Sequence, residues 1–211
     1  MPGYRKFIGL MVIGLLLSVS GAGHSTPVYP TNIALGMTVT GSSYYSSGSE
    51  VFPYWKIVDG SIADGGSAYN WNFWLTPNGR TGWAQIDLSK EYSIGKIEFL
   101  NTHNRWYNDR TTRNWTIEIL NSSLISMFTI SGSEPDLNMS SWTDPIPPKV
   151  LDLTMPVTGR YVKFYVNSYW GSSGGLNELR VYEAIPEPST FFMLGAGLLG
   201  LIGYVYKRKK N

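Results

Sequence analysis

One stretch of the chain, Asn101-Thr102-His103-Asn104-Arg105-Trp106-Tyr107-Asn108-Asp109-Arg110-Thr111, brings an imidazole, side-chain amides, guanidinium groups and aromatic rings close together. A sugar presents an apolar ring face and a fringe of hydroxyls. A protein meets the first with an aromatic plate and the second with charged or amide hydrogen bonders. His103, Asn104, Arg105 or Arg110, and Trp106 or Tyr107 supply both kinds of group. Trp71, Asn72, Trp74 and Trp170 come from other segments and either complete this surface or pack into the core. A plainer reading stays open, in which Asp109 and Arg110 brace the loop with Asn108 and His103 is a turn residue.

Catalytic constellations are sparse. The chain has two histidines, His24 and His103, and no cysteine, so zinc sites built on paired His or Cys are excluded. A serine triad would have to use His103, and no nucleophile-elbow motif accompanies it. Paired carboxylates for glycoside hydrolysis need only meet in space, so spacing does not decide them. The reading is of a binding module, not an enzyme.

The elements that must position these residues are strands. Trp83-Ala84-Gln85-Ile86-Asp87-Leu88, residues 94–100, Trp115-Thr116-Ile117-Glu118-Ile119, residues 160–166 and Leu179-Arg180-Val181-Tyr182 are short, β-branched or aromatic runs. Gly, Asn, Ser or Pro bounds each of them, which is the strand-and-turn pattern of a sandwich or barrel. In one run Trp115, Ile117 and Ile119 share an apolar face, while Thr116 and Glu118 point the other way. No internal repeat and no sustained helical spacing interrupts this pattern. Residues 133–149, with Pro135, Pro145, Pro147 and Pro148, read as a long surface loop.

The two ends belong to transport, not to the fold. Arg5 and Lys6 precede an apolar run at 7–17 and a small-residue stretch, so residues 1–25 read as a signal peptide with cleavage near Ala22 or Ser25. Residues 190–206 form a second apolar run, followed by Lys207-Arg208-Lys209-Lys210. At 1.5 Å per residue that run reaches about 26 Å, the low end of what crosses a bilayer as a helix. The basic cluster would stay on the cytoplasmic side, leaving the rest outside. Of the 17 Lys and Arg, two lie in the first segment and four in the last, leaving 11 against 15 Asp and Glu between the two ends. That middle stretch carries a formal charge of −4, which argues against nucleic acid as a partner. Without cysteine, an exported domain of this size depends on its core or on a metal.

Asn32-Ile33-Ala34-Leu35-Gly36, Ile57-Val58-Asp59-Gly60, the run from Trp83 to Leu88, Arg160-Tyr161-Val162-Lys163, and Gly175-Leu176-Asn177-Glu178-Leu179-Arg180-Val181-Tyr182 occur in this order. Together they resemble the discoidin, or coagulation factor type C, family of galactose-binding-like domains. The resemblance implies an all-β, eight-stranded jelly-roll sandwich over residues 26–185, with its termini at one end and its ligand loops at the other. It implies sugar contacts from a loop His, Arg, Asn and aromatic, matched in type by His103, Arg105 or Arg110, Asn104, and Trp106 or Tyr107. It also implies one structural calcium ion, held by the Asp-Gly loop and a Glu near the last strand. Asp59, Asp64, Ser67 and Glu178 are the matching types, though residues 61–70 are longer than the usual compact loop; tight turns with an internally braced Glu178 are the alternative. The animal members' disulfide between the termini is absent.

Pro186-Glu187-Pro188, the apolar run and the basic cluster resemble a PEP-CTERM sorting signal over residues 186–211. That resemblance implies a Gram-negative host, exosortase as the processing enzyme and only transient residence in the inner membrane; a permanent anchor is the alternative. The expected function is an exported carbohydrate-binding or adhesion module of the cell surface or exopolysaccharide matrix. A structural surface protein making protein contacts and a phospholipid-binding module are the other readings.

Overall fold

The computed structural model describes residues 31–62, 71–102, 109–136 and 147–184, together with Tyr206 and Arg208. Among them run β1 (Thr38–Gly41), β2 (Tyr45–Ser47), β3 (Glu50–Phe52), β4 (Trp74–Leu75), β5 (Gly82–Asn101), β6 (Arg110–Leu120), β7 (Ser126–Ser133), β8 (Lys149–Gly171) and β9 (Gly175–Glu183). A 3₁₀ turn at Tyr54–Val58 follows β3. Each run read as a strand from sequence lies within β5, β6, β8 or β9.

β5 and β8 are each long enough to serve in two layers. They pair antiparallel from Gly82↔Val166 to Asp87↔Tyr161, shift register, and resume at Tyr92↔Gly159. Ser89 marks the corner with φ 72, its N–H donating to Asp87 Oδ1 at 2.8 Å. Past the corner, β5 takes β9 as a further neighbour, from Ile94↔Glu183 to Asn101↔Leu176. One layer therefore holds β4, β9, the second half of β5 and the first part of β8. The other holds β1, the first half of β5, the second part of β8, β6 and β7. This is the expected jelly-roll sandwich, divided by its hydrogen bonding into nine strands among the described residues.

Alternation puts the apolar set between the layers. Ile86, Ile97, Ile117, Val162, Phe164, Leu179 and Val181 are fully buried. Phe99 of one layer meets Trp115 and Phe164 of the other, with ring centroids 5.0 and 5.2 Å apart. Full burial of such side chains stabilises by about 1.5–3 kcal/mol each before chain entropy is counted.

Asn32 bridges Tyr182, and the Ile33 N–H donates to the Val181 carbonyl at 2.8 Å. The domain thus begins and ends on neighbouring strands, and its last described residue, Ala184, is held by the Ser93 carbonyl at 2.7 Å. At the opposite end lie the connections around 76–81 and 171–174, together with Thr102 and Asp109. β7 ends at Ser133 and β8 begins at Lys149, so the proline-rich segment joins strands, and its described residues carry no helix or strand. The terminal apolar runs lie outside the described residues except for Tyr206, which, with Arg208 of the basic tail, is helical. Among the described residues no helix is long and apolar enough to cross a membrane.

Candidate functional site

The sugar-suited segment connects β5 to β6 in the chain, and a dense frame holds the described residues on either side of it. Asn101, nearly buried, donates from Nδ2 to the Thr112 carbonyl at 2.8 Å. Its Oδ1 accepts from the N–H groups of Thr112 and Thr102, at 3.0 and 2.9 Å. The Thr112 hydroxyl donates to the Gly175 carbonyl at 2.7 Å and accepts the Gly175 N–H at 2.9 Å. Asp109 Oδ2 accepts the Ser172 hydroxyl at 2.6 Å, and its carbonyl accepts the Ser172 N–H at 2.7 Å. Gly171, at φ +75, packs so closely that a Cβ there would stand 2.5 Å from the Asp109 carbonyl oxygen. Only glycine allows that approach.

Arg110 lies inside this frame. It is 8% exposed, with Nε donating to Asp109 Oδ1 at 3.0 Å, Nη1 donating to Ser173 Oγ at 3.3 Å and to Asn78 Oδ1, and the guanidinium 5.0 Å from the Tyr45 ring centroid. Internal partners therefore accept from its Nε and Nη1. His103, Asn104, Arg105, Trp106 and Tyr107 lie outside the described residues. Both ends of their segment are fixed by the frame.

The tryptophans divide. Trp74, expected as a possible sugar contact, is instead a core residue: it is fully buried and spends its indole N–H on the Ser43 carbonyl at 3.2 Å. Its place in β4 between β9 and the core turns the ring inward, so it offers no plate to a ligand. Trp71 is half-buried in a small aromatic cluster, 5.8 Å from Phe52 and 5.7 Å from Phe73. Neighbouring Asn72 donates to Ser61 Oγ at 2.9 Å. Trp170 is half-buried on β8 and donates to the Glu134 carbonyl at 3.1 Å, while the exposed Arg113 guanidinium lies 4.2 Å from its ring centroid. Glu134 also accepts the Trp115 indole N–H at 3.0 Å and pairs with Lys149 at 3.3 Å. Sequence reasoning missed Arg113, Glu134, Asn78 and Tyr45. Arg113 reaches Trp170 because the β6–β8 register shifts between Thr112 and Asn114, and such a bulge leaves no mark in composition.

A second cluster lies beside the start of β9. Glu178 is fully buried. Its Oε1 accepts the Gly60 N–H at 3.2 Å, and its Oε2 has no hydrogen-bond partner. Burial, and then the negative charge of Asp59, push its carboxyl up to about 8; Arg180 and the Gly60 N–H pull it only part of the way back. Asp59 Oδ1 accepts the Ser61 N–H at 2.9 Å, and Lys56 stands 3.5 Å from Oδ2. The fold thus brings Asp59 and Glu178 together across the sequence. Asp64 and Ser67 lie outside the described residues, and among those described no three His, Cys, Asp or Glu residues gather closely enough to hold a metal. A buried carboxylate oxygen without a donor nevertheless suits a hard cation, so the residues present fit one.

Comparison with known proteins agrees with this architecture. Residues 56–164 match the F5/F8 type C family model described as a NedA-like, galactose-binding domain, and residues 184–209 match the PEP-CTERM protein-sorting motif. No curated protein matches the chain. Among solved structures, the lectin domain of lectinolysin complexed with Lewis B antigen is 20% identical, with TM-score 0.57, covering 74% of this chain and 99% of that one. A Streptococcus pneumoniae fucose binding module is 22% identical, with TM-score 0.56 over 74% of this chain and 99% of its own. The family 32 CBM from C. perfringens NanJ, in complex with galactose, is 18% identical, with TM-score 0.53 over 70% and 93%. At these identities the likeness is one of fold. With its family model matched over residues 56–164 and its sandwich shared with these modules, the chain belongs to the F5/F8 type C, galactose-binding-like domain family and ends in a PEP-CTERM sorting motif.

Proposed function

We propose that this protein is an exported, non-catalytic glycan-binding module, whose sugar contacts come from His103, Asn104, Arg105, Trp106 and Tyr107. The observation that carries the reading is the hydrogen-bonded frame of Asn101, Asp109, Arg110, Thr112 and Ser172 on either side of that segment. A frame of this kind preorganises the residues that flank the segment, and preorganisation lowers the cost of binding. Trp170 with Arg113, and Trp71 at its edge, are the described aromatics available to extend the surface. The ligands of the similar modules, fucose, galactose and a Lewis antigen, favour terminal hexoses of a surface or matrix polysaccharide as the ligand class. A glycan array probed with the intact protein tests this: selective signal on hexose-terminated glycans is expected. Silence across the array from folded protein would favour a protein-contact role.

Export follows from residues 1–25 read as a signal peptide, and release from exosortase acting at the PEP-CTERM motif of a Gram-negative host. The surface-released protein should then lack both the first ~25 residues and the tail beyond the Pro186-Glu187-Pro188 region. Intact mass spectrometry reads this directly. A species retaining Lys207 to Lys210 in a host with exosortase would instead mean a permanent anchor.

A calcium ion at Asp59 and Glu178, completed by Asp64 and Ser67, is the second part of the proposal. The ion would neutralise the buried Glu178 and the exposed Asp59 whose charge bears on it. Without it, Glu178 titrates near 8 in the folded state against an ordinary value of 4.5. The folded domain then keeps a proton that the unfolded chain gives up, and stability falls as pH rises through that window. Calcium binds the ionised form and stabilises by mass action. Melts in chelator should show a Tm that declines from pH 5 toward 8, and added calcium should raise Tm most at the upper end. Superimposable, flat profiles with and without calcium would mean that these acids only shape turns.

A further inference from the structure

We propose that the end of the sandwich from which the tail departs docks on the bilayer surface through the apolar turn between β6 and β7 and the adjoining rim of β8. The proposal rests on the reading that the run beginning at Thr190 enters the membrane. Leu124, Ile125, Met127 and Met155 are 57%, 60%, 51% and 79% exposed. Met127 and Met155 line a groove of ≈ 540 Å³ between β7 and the first part of β8, together with Phe128, Ile130 and Leu153, while Leu124 and Ile125 stand on the turn that leads into β7. Exposed apolar side chains gathered on one turn and one groove mark an interaction site more often than scattered single residues do.

Two observations favour a bilayer as its occupant. The first is where the chain goes. Ala184 is fixed to Ser93, and two residues earlier on the same strand Glu91 accepts the Ser122 N–H at 3.0 Å, so the β6–β7 turn and the tail leave from the same end. Only residues 185–189 separate Ala184 from Thr190. Five residues reach at most about 18 Å fully extended. A tail seated in the membrane therefore holds this end against the lipid surface.

The second is the turn itself. Leu124 has φ 60, a conformation that favours glycine or asparagine, yet it carries a large side chain into solvent. Asn121 sets it there: its Oδ1 accepts the Ser123 and Ile125 N–H groups at 2.9 Å each, and its carbonyl accepts the Leu124 N–H at 3.0 Å. A leucine held in such a backbone at a hairpin tip is presented rather than packed.

The chain has no cysteine, so Ser123→Cys and Asp136→Cys each give a unique thiol, one at this end and one near the opposite end. Full-length protein carrying bimane at either position would be reconstituted with phosphatidylcholine–phosphatidylglycerol vesicles containing spin-labelled acyl chains. The expected result is quenching at 123 and none at 136. Leu124→Glu with Ile125→Glu should abolish quenching at 123 while the protein still floats with the vesicles and melts cooperatively. A protein that floats with the 123 label unquenched, or quenched equally in the glutamate variant, overturns docking alone. Protein left in the unbound fraction overturns docking and the anchoring it rests on. A label at 123 shielded only by a second copy, detected as a disulfide-linked dimer of Ser123→Cys, overturns the bilayer as occupant.

Discussion

Trp74→Ala is expected to destabilise the domain by about 3–5 kcal/mol, the cost of emptying a large ring from a packed core. The ring is fully buried, and it ties β4 to the Ser43 carbonyl through its indole N–H. Gly175 also packs against its backbone so tightly that a Cβ would lie 1.8 Å from the Trp74 carbonyl oxygen. The site therefore has little freedom to collapse around a cavity. Urea denaturation with a common slope for both proteins measures the loss. A shift below about 1 kcal/mol, within the range of surface substitutions, would contradict the burial and return Trp74 to the ligand face.

Arg110→Ala is the second large effect. Its guanidinium serves Asp109, Ser173 and Asn78 from a nearly buried position and covers the Tyr45 ring. Truncation leaves those acceptors without their donor, a situation that costs about 3 kcal/mol or more when the pair is buried. Asp109 is 32% exposed on its side chain, which places the expectation at the lower end of that range. Arg110→Lys should recover only part of the loss, because an ammonium cannot reproduce the planar fork. Thermal stability and glycan affinity need to be measured together. Lost affinity with an unchanged melting curve would mean that Arg110 touches sugar directly.

The layers were legible in the sequence because strand burial has period two. Trp115, Ile117 and Ile119 announced an inward face that the structure places against Phe99 and Phe164. β7 and the first part of β8 were not, since both are edge segments whose inward residues are only half-buried and whose outward faces also carry the apolar Met127, Val150 and Met155. The bending of β5 at Ser89 also escaped, because a positive φ at serine has no residue signature. At the site, Asp59 and Glu178 could be paired only through family resemblance: they are far apart in the chain and meet through the Gly60 N–H. Trp74 stayed open between ligand plate and core for a related reason. Aromatic plates and aromatic core residues have the same composition, and only neighbours in space separate them.

The central claim is sugar recognition by the framed segment, and its most direct test is calorimetric titration of the best array glycan into the intact protein and into Trp106→Ala. Losing a stacking plate from a surface loop should weaken binding by about two- to tenfold, since ring stacking is worth roughly 0.5–1.5 kcal/mol, with Tm nearly unchanged. A Trp106→Ala protein that keeps full affinity while losing stability would contradict the account. The segment would then be architecture, and the ligand face would have to be sought around Trp71 and Trp170.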